Sequence, residues 1–165
     1  MSSVRLRPSA RAIILDEDDR ILLCRFEFAR DDRQVVVWAA PGGGVEAGET
    51  LLAALRRELM EEVGLELCTD PPHLWHQEVV RAGHAAGYDG IINDFFLVRT
   101  SAFTPRGSLT DEELAAENVT ELRWWTVAEI IGYRGSDLFG PRALGTLLTG
   151  LLTGGLPDSP VILGL

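Results

Sequence analysis

Residues 43–65 read GGVEAGETLLAALRRELMEEVGL, a glycine-rich turn followed by a segment with helical periodicity. At about 100° per residue, three glutamates of this segment share an arc of roughly 100° on one side of a helix: Glu58, Glu61 and Glu62. Four apolar side chains share an arc of roughly 80° on a different side: Leu52, Leu55, Leu59 and Val63. The segment is therefore predicted to be a helix with one buried face and a separate, densely anionic face.

The anionic face needs an explanation, because like charges on neighbouring helical turns repel one another. Hard divalent cations bind carboxylate and carbonyl oxygens, and Mg²⁺ commonly completes its shell with water and substrate phosphates. The three glutamates therefore indicate a metal-dependent site that acts on phosphates. The alternative is a solvated acidic helix face, with Arg56 and Arg57 as partial counterions.

Nine positions of residues 43–65 match the Nudix box, and the stretch resembles that motif without departure. They are Gly43, Glu49, Arg57, Glu58, Leu59, Glu61, Glu62, Gly64 and Leu65. The resemblance implies a MutT/Nudix hydrolase, which cleaves a diphosphate linkage in a nucleoside diphosphate joined to another group. It implies an α/β fold, a mixed β-sheet in an α/β/α sandwich, with residues 1–165 as a single Nudix domain. Within the box, Glu49 and Arg57 resemble an ion pair that braces the turn against the helix.

The same resemblance assigns roles to individual residues. Glu58, Glu61 and Glu62 resemble the carboxylate ligands of a Mg²⁺ or Mn²⁺ ion, and the backbone carbonyl of Gly43 resembles a further oxygen ligand. Catalysis is expected from Glu61, Glu62 and Glu117. Glu117 lies in an acidic stretch where Nudix relatives often place a further metal ligand or general base. The alternative interpretation is that Glu117 is a solvated loop residue without a catalytic role.

Three residues outside the box are candidates for binding substrate. Arg25 lies where relatives often offer an arginine to phosphate, and its alternative is a surface arginine on an edge strand. Trp38 precedes the glycine turn, where it either stacks on a base or packs against the core. Asn93 either recognises a base edge or is a polar interruption in a half-buried strand.

Composition limits the classes of partner. The net charge is −10, with 25 acidic and 15 basic residues, and this argues against a groove for a nucleic acid polymer, which needs a basic patch. A small nucleotide diphosphate substrate remains compatible, because a bound cation supplies positive charge. No segment is long and apolar enough to span a membrane, and no secretory signal follows Met1, so a cytoplasmic protein is expected. The composition leaves monomer and homodimer open.

The substrate is open at this stage. The leading expectation is hydrolysis of a nucleoside triphosphate or a related nucleotide, and the alternative is cleavage of ADP-ribose or a nucleotide sugar. Relatives selective for ADP-ribose often carry a proline beyond the box, near the positions of Val80 and Arg81 in this chain. Relatives that cut dinucleoside polyphosphates often carry a tyrosine slightly further on, and the nearest here is Tyr88. A noncatalytic nucleotide sensor is disfavoured, because every box carboxylate is present.

Local patterns predict the order of the elements. Strands are expected over residues 4–15, 21–28, 35–38, 73–81, 91–100 and 122–126. Helices are expected over residues 50–63, 127–131 and 144–152, the last from leucines that recur at helical spacing. Residues 82–90 and 102–118 are predicted to be irregular.

Overall fold

The structure, a computed structural model, describes residues 3–81 and 85–164. Within these ranges the strands are β1 Leu6–Leu15, β2 Ile21–Arg30, β3 Arg33–Ala39, β4 Gly42–Gly44, β5 His73–Val80, β6 Gly90–Arg99, β7 Val119–Trp125, β8 Leu138–Gly140 and β9 Val161–Leu163. The helices are α1 Leu51–Glu62, α2 Asp111–Ala116, α3 Val127–Ile131 and α4 Leu144–Gly154. Residues 82–84 of the predicted loop at 82–90 lie outside the described ranges.

All of these strands join one mixed sheet. Its order is β8-β3-β2-β1-β6-β5-β9, with β4 paired to β1 and β7 paired to β2. β1 runs parallel to β6 from the pair Leu6–Gly90 to the pair Leu15–Arg99, whereas β5 and β6 are antiparallel. The first two predicted strands, β1 and β2, form a hairpin with Leu15 opposite Ile21. The predicted mixed sheet is therefore confirmed.

The glycines of β4 lie where the hairpin opens. β6 covers one edge of β1 along its whole length, so β2 and β4 share the other edge. β2 pairs there with Leu15, and β4 pairs with Ser9, Ala10 and Arg11. The sequence predicts a turn at Gly42–Gly44. The structure shows a short strand instead, because its backbone groups find hydrogen-bond partners on the free edge of β1.

Helices cover both faces of the sheet. On one face, α1 packs against a buried cluster that contains Leu55, Leu59, Val63, Ala10, Ala12, Ile14, Leu22, Phe96 and Val98. On the other face, α3 and α4 pack against a cluster that contains Ile130, Leu144, Leu148, Leu151, Ile13, Leu15, Leu23, Phe95 and Leu97. Alternate residues of each strand thus point to opposite faces. Burying each leucine contributes about 1.5–3 kcal/mol, and the predicted α/β/α layering is confirmed.

Several short elements lie in stretches that the sequence predicts to be irregular. Residues 102–118 contain α2, whose N-cap Thr110 forms a capping box with Glu113. This Thr-x-x-Glu signal is visible in the sequence, so the prediction of an irregular stretch is wrong there. β8 and β9 pair with β3 and β5, and three residues are too few for periodicity to reveal them. No helix in the described ranges has the length and apolar character that a membrane crossing needs.

Candidate functional site

α1 carries the predicted box carboxylates and is capped at both ends. The Thr50 hydroxyl accepts a hydrogen bond from the Ala53 amide at 3.1 Å, which satisfies one of the unpaired amides of the first turn. After the C-cap residue Val63, Gly64 has a φ of 75°, a conformation that favours glycine. The helix begins and ends where the sequence predicts, and its ends fix the direction of each side chain around it.

Three carboxylates from two distant parts of the chain meet beside α1. Glu58 and Glu62 project from α1 and Glu117 is the C-cap residue of α2, and one carboxylate oxygen of each lies within 4.8 Å of the others. Glu58 and Glu62 are 7% and 2% exposed, whereas Glu117 is exposed at the edge of the group. We call these three residues the carboxylate group. Three oxygen donors this close together are able to hold a hard divalent cation.

Glu61 lies beside the carboxylate group but is not part of it. Its side chain is 30% exposed, and its Oε2 lies 3.4 Å from Nη1 of Arg57. Burial and then the charge of Glu58 raise the pKa of Glu61, and Arg57 opposes this effect. Arg57 Nη1 also lies 2.9 Å from Oε1 of Glu58, so Arg57 contacts both residues. Of the three box glutamates, the structure places Glu58 and Glu62 in the carboxylate group and Glu61 at its edge.

Negative charge accumulates in the carboxylate group. Burial raises the pKa of Glu62 well above its usual range, and the hydrogen bond and charge of Glu58 add to this. Burial also raises the pKa of Glu117, because its carboxylate faces the group although the residue is exposed, and the charges of Glu58 and Glu61 raise it further. Full ionisation of these carboxylates is thus unfavourable unless a cation neutralises them.

Cys24 closes the buried side of the group. Its Sγ lies 3.5 Å from Oε2 of Glu62, and the residue is fully buried. Burial, followed by the charge of Glu62, raises the pKa of the Cys24 thiol well above its usual range. The neutral thiol therefore donates a weak hydrogen bond to Glu62.

The glycine strand β4 approaches the carboxylate group closely. A Cβ at Gly43 would overlap the carboxylate of Glu58, so any other residue here would displace that carboxylate from its position. Gly42 has a φ of 143°, and a Cβ there would overlap the carbonyl oxygen of Ala10. Within β4, a positive φ occurs at Gly42 alone. The backbone approaches the carboxylate group closely at Gly43.

Arg57 ties β4 to α1. Its Nε and Nη2 lie 2.8 and 2.9 Å from the two carboxylate oxygens of Glu49, and Nη2 also donates to the carbonyl of Gly44 at 3.0 Å. The hydrogen bonds of Arg57, with one from the Glu46 amide, lower the pKa of Glu49 to about 2. The bracing ion pair that the resemblance implies is therefore confirmed.

Arg25 and Trp38 lie opposite one another on β2 and β3, on the sheet face away from α1. Arg25 Nη1 lies 2.7 Å from Oε2 of Glu27 and 2.8 Å from Oγ1 of Thr120, so its charge is already paired. Trp38 is 3% exposed and packs edge-on against Trp125, with ring centroids 5.0 Å apart. These contacts favour a surface arginine and a packed tryptophan over substrate binding. The predicted edge position of Arg25 is wrong, because β2 pairs with β3 on one side and with β7 on the other.

The site contains an arginine that is not among the candidates predicted from the sequence. Arg11 lies opposite Gly42 on β1, and its guanidinium donates to the carbonyl of Ala40 and to Oδ1 of Asn93, both at 3.0 Å. Against the effects of burial and of neighbouring acids, the charge of Arg11 lowers the pKa of Glu62. Its signal in the sequence is the single charge in the otherwise apolar run from Ala10 to Leu15.

Asn93 belongs to a polar network around Arg11. Its Oδ1 also accepts a hydrogen bond from Oγ of Ser9 at 2.7 Å, and its Nδ2 lies 3.4 Å from Oε1 of Gln77. Ser9 and Gln77 are buried. The network holds the guanidinium of Arg11 in place, and recognition of a base edge by Asn93 stays a prediction.

A family model described as NUDIX domain matches residues 5–142. An RNA pyrophosphohydrolase of Campylobacter jejuni is 33% identical over 100 residues, which cover 56% of this chain and 62% of that protein. Nucleoside triphosphatase NudI of Escherichia coli is 46% identical over 56 residues, which cover 33% of this chain and 38% of that protein. The chain thus spans less than two thirds of the length of either curated relative.

A solved structure of a MutT NUDIX hydrolase from Burkholderia pseudomallei has the same fold. It aligns with a TM-score of 0.62 and 21% sequence identity, over 86% of this chain and 95% of that chain. At this identity the likeness establishes the shared mixed sheet and its flanking helices.

Proposed function

The chain belongs to the Nudix hydrolase family, and on that premise we propose that it is a divalent-metal-dependent hydrolase. Its substrate is a nucleoside diphosphate linked to another group, with a nucleoside triphosphate or a related nucleotide as the leading class. The observation that carries the proposal is the carboxylate group, whose oxygens from Glu58, Glu62 and Glu117 lie within 4.8 Å of one another. Its position beside Gly43 adds support.

The donor set fits Mg²⁺ or Mn²⁺. Carboxylate oxygens are the ligands that these cations prefer, and glycine at position 43 keeps the space beside Glu58 clear. We assign Glu58, Glu62 and Glu117 as the residues that hold the cation. Ligation by Glu61 and by the Gly43 carbonyl stays a prediction. When bound, the cation neutralises charge on the phosphates and lowers the pKa of bound water.

Other side chains orient the site and move the proton. Besides holding the cation, Glu117 is the candidate general base, because its carboxylate lies beside Glu58 and Glu62 and the residue is exposed to solvent. Glu61 is the alternative base. Arg57 holds β4 against α1 through its contacts with Glu49 and Gly44.

Arg11 is better placed than Arg25 to bind substrate phosphate. The Ala40 carbonyl and Asn93 fix its Nη1 and Nε, and a guanidinium has five N–H donors, so others are available for phosphate oxygens. These hydrogen bonds hold the Arg11 guanidinium in one orientation, so the side chain loses less conformational entropy when it binds phosphate. Arg25 instead forms an ion pair with Glu27.

We expect Arg11→Gln to raise KM about 10-fold with a smaller change in kcat, because a charge-assisted hydrogen bond contributes roughly 1.5–3 kcal/mol. Arg99→Gln is the matched control: Arg99 is exposed and pairs with Asp19, and its loss should change KM less than about twofold. Steady-state kinetics of both variants and of Arg25→Gln measures the effect. A larger KM increase for Arg25→Gln than for Arg11→Gln would restore the sequence prediction.

A substrate screen tests the proposed function. The protein is incubated with Mg²⁺ or Mn²⁺ and with nucleoside triphosphates, ADP-ribose or nucleotide sugars. A short RNA with a 5′-triphosphate is added because one relative is named RNA pyrophosphohydrolase. We expect a nucleoside monophosphate and pyrophosphate from a triphosphate, and no product in excess EDTA.

Each other outcome has a distinct meaning. Preferred cleavage of ADP-ribose or a nucleotide sugar would select the alternative substrate class. Tight binding without turnover of any compound would indicate a noncatalytic sensor. Full activity in excess EDTA would contradict the metal mechanism.

The domain organisation is also a proposal. The sheet that connects β1 to β9 supports one Nudix domain over residues 1–165. Assembly as a monomer or a homodimer stays a prediction.

A further inference from the structure

The C-terminal end of α1 is held by a distant segment of the chain. The last carbonyls of an α-helix have no partner within the helix. Residues 106–109, which we call the clamp segment, supply three partners: the Arg106 amide donates to Val63, the Ser108 amide to Met60 and the Leu109 amide to Glu61, each at 3.0 Å. The clamp segment therefore pairs with the turn of α1 that carries the box glutamates.

Two glycines allow this close approach. A Cβ at Gly107 would overlap the carbonyl oxygens of Glu61 and Met60. Gly64 has a positive φ of 75°, and a Cβ there would overlap the carbonyl oxygen of Arg106. The opposing atoms belong to the backbone, so no side-chain rotation relieves either overlap.

The clamp segment leads directly into the helix that presents Glu117. Thr110 follows it as the N-cap of α2, and the Thr110 hydroxyl accepts from the Glu113 amide at 3.1 Å. The Glu113 carboxylate accepts from the Thr110 amide at 3.1 Å in return. Leu114 of α2 is buried against Cys24, beside Glu62. A capped and packed helix thus connects the clamp segment to Glu117.

We propose that the clamp segment positions Glu117 against Glu58 and Glu62, with Gly107 as the positioning residue. Glu117 lies far from α1 in the sequence, so no local geometry relates the two. A metal site needs its ligands held within a fraction of an ångström of their productive positions. The clamp segment provides this by fixing the start of α2 to the end of α1. The inference rests on the proposed function, because it takes Glu117 as part of the metal site.

A double-mutant cycle on metal affinity tests this role. Mn²⁺ dissociation constants are measured by calorimetry for the wild type, Gly107→Ala, Glu117→Gln and the double variant. We expect Gly107→Ala to weaken Mn²⁺ binding about 10- to 100-fold, as changes to residues that orient metal ligands do. Glu117→Gln should also weaken it. The double variant should match the weaker single variant within about twofold, because both changes remove the same ligand.

Gly150→Ala is the matched control. Gly150 lies on α4, where an added Cβ meets no atom within 4 Å, so this variant should bind Mn²⁺ like the wild type. Weak binding by Gly107→Ala alone, with Gly150→Ala unchanged, ties the effect to the clamp segment.

The possible failures are distinguishable. Wild-type affinity in Gly107→Ala, with weak binding in Glu117→Gln, would overturn the positioning role and leave the proposed site intact. Additive losses in the double variant would also overturn it, because Gly107 would then act on the site by another route. Normal binding in Glu117→Gln would remove Glu117 from the site, and the positioning role would fail with it.

A measurement on the wild-type protein covers the case in which Gly107→Ala does not fold. Amide hydrogen exchange at Ser108 and Leu109 reports opening of the clamp segment. Saturating Mn²⁺ should slow exchange at these two amides more than in α4, because binding stabilises the state in which the site is assembled. Equal exchange with and without Mn²⁺ at both amides would overturn the proposal.

Discussion

Glu62→Gln is expected to lower kcat by at least about 100-fold at saturating Mg²⁺, comparable with the loss of a key electrostatic group. Glutamine keeps the size of the side chain and removes its charge. Glu62 is 2% exposed and lies next to Glu58 and Cys24. A water molecule therefore has little room to take the place of the lost carboxylate. Steady-state kinetics with the substrate identified in the screen measures the effect.

The Glu62→Gln protein is expected to fold. Burial and Glu58 already disfavour the charged form of Glu62, so a neutral side chain suits the site when a chelator is present. The midpoint of thermal unfolding in EDTA should equal or exceed that of the wild type. Glu66→Gln, at an exposed position beyond α1, is the control and should change kcat less than about twofold. Near-normal turnover in folded Glu62→Gln would show that the catalytic site lies elsewhere.

Glu117→Gln is expected to lower kcat by roughly 100- to 10,000-fold with little change in KM, because a general base accepts its proton in the transition state. The position supports this role: the Glu117 carboxylate meets Glu58 and Glu62 within 4.8 Å, yet the residue is exposed to solvent. The measurement is kcat and KM across a range of Mg²⁺ concentrations.

Two other results would remove the role of general base from Glu117. Normal kcat at high Mg²⁺, with a higher Mg²⁺ requirement, would leave Glu117 as a ligand of the cation only. A change in kcat of less than about threefold, without altered Mg²⁺ dependence, would make it a solvated residue, and Glu61 would become the candidate base. Glu112→Gln is the matched control, because Glu112 is exposed on the same short helix and should leave kcat unchanged.

Local sequence patterns were enough to predict the part of the site that lies on the single helix α1. The rise and twist of an α-helix are nearly constant, so the periodicity of residues 50–63 places Glu58 and Glu62 on one face before any tertiary contact is known. The resemblance to the Nudix box adds the ion pair of Arg57 with Glu49 and the α/β/α layers, and the structure confirms both. Longer strands were also predictable, because alternation extends over many residues.

The membership of the carboxylate group depends on contacts between distant segments. Glu61 is adjacent to Glu62 in the sequence, yet Glu117, and not Glu61, joins Glu58 and Glu62. Glu117 joins the group because α2 and the clamp segment bring it to α1. The clamp segment joins backbone groups from separate parts of the chain, and no spacing within either part reveals the pairing.

Contacts between distant segments also decide which of two arginines, Arg11 or Arg25, lies near the carboxylates. Arg25 follows the pattern of relatives, but in this fold it points to the sheet face where Glu27 pairs with it. Arg11 lies opposite Gly42, where β1 pairs with β4 instead of β2, and its charge acts on Glu62. Strand pairing follows from packing of the whole sheet, so the folded molecule, and not local spacing, selects which arginine lies near the carboxylates.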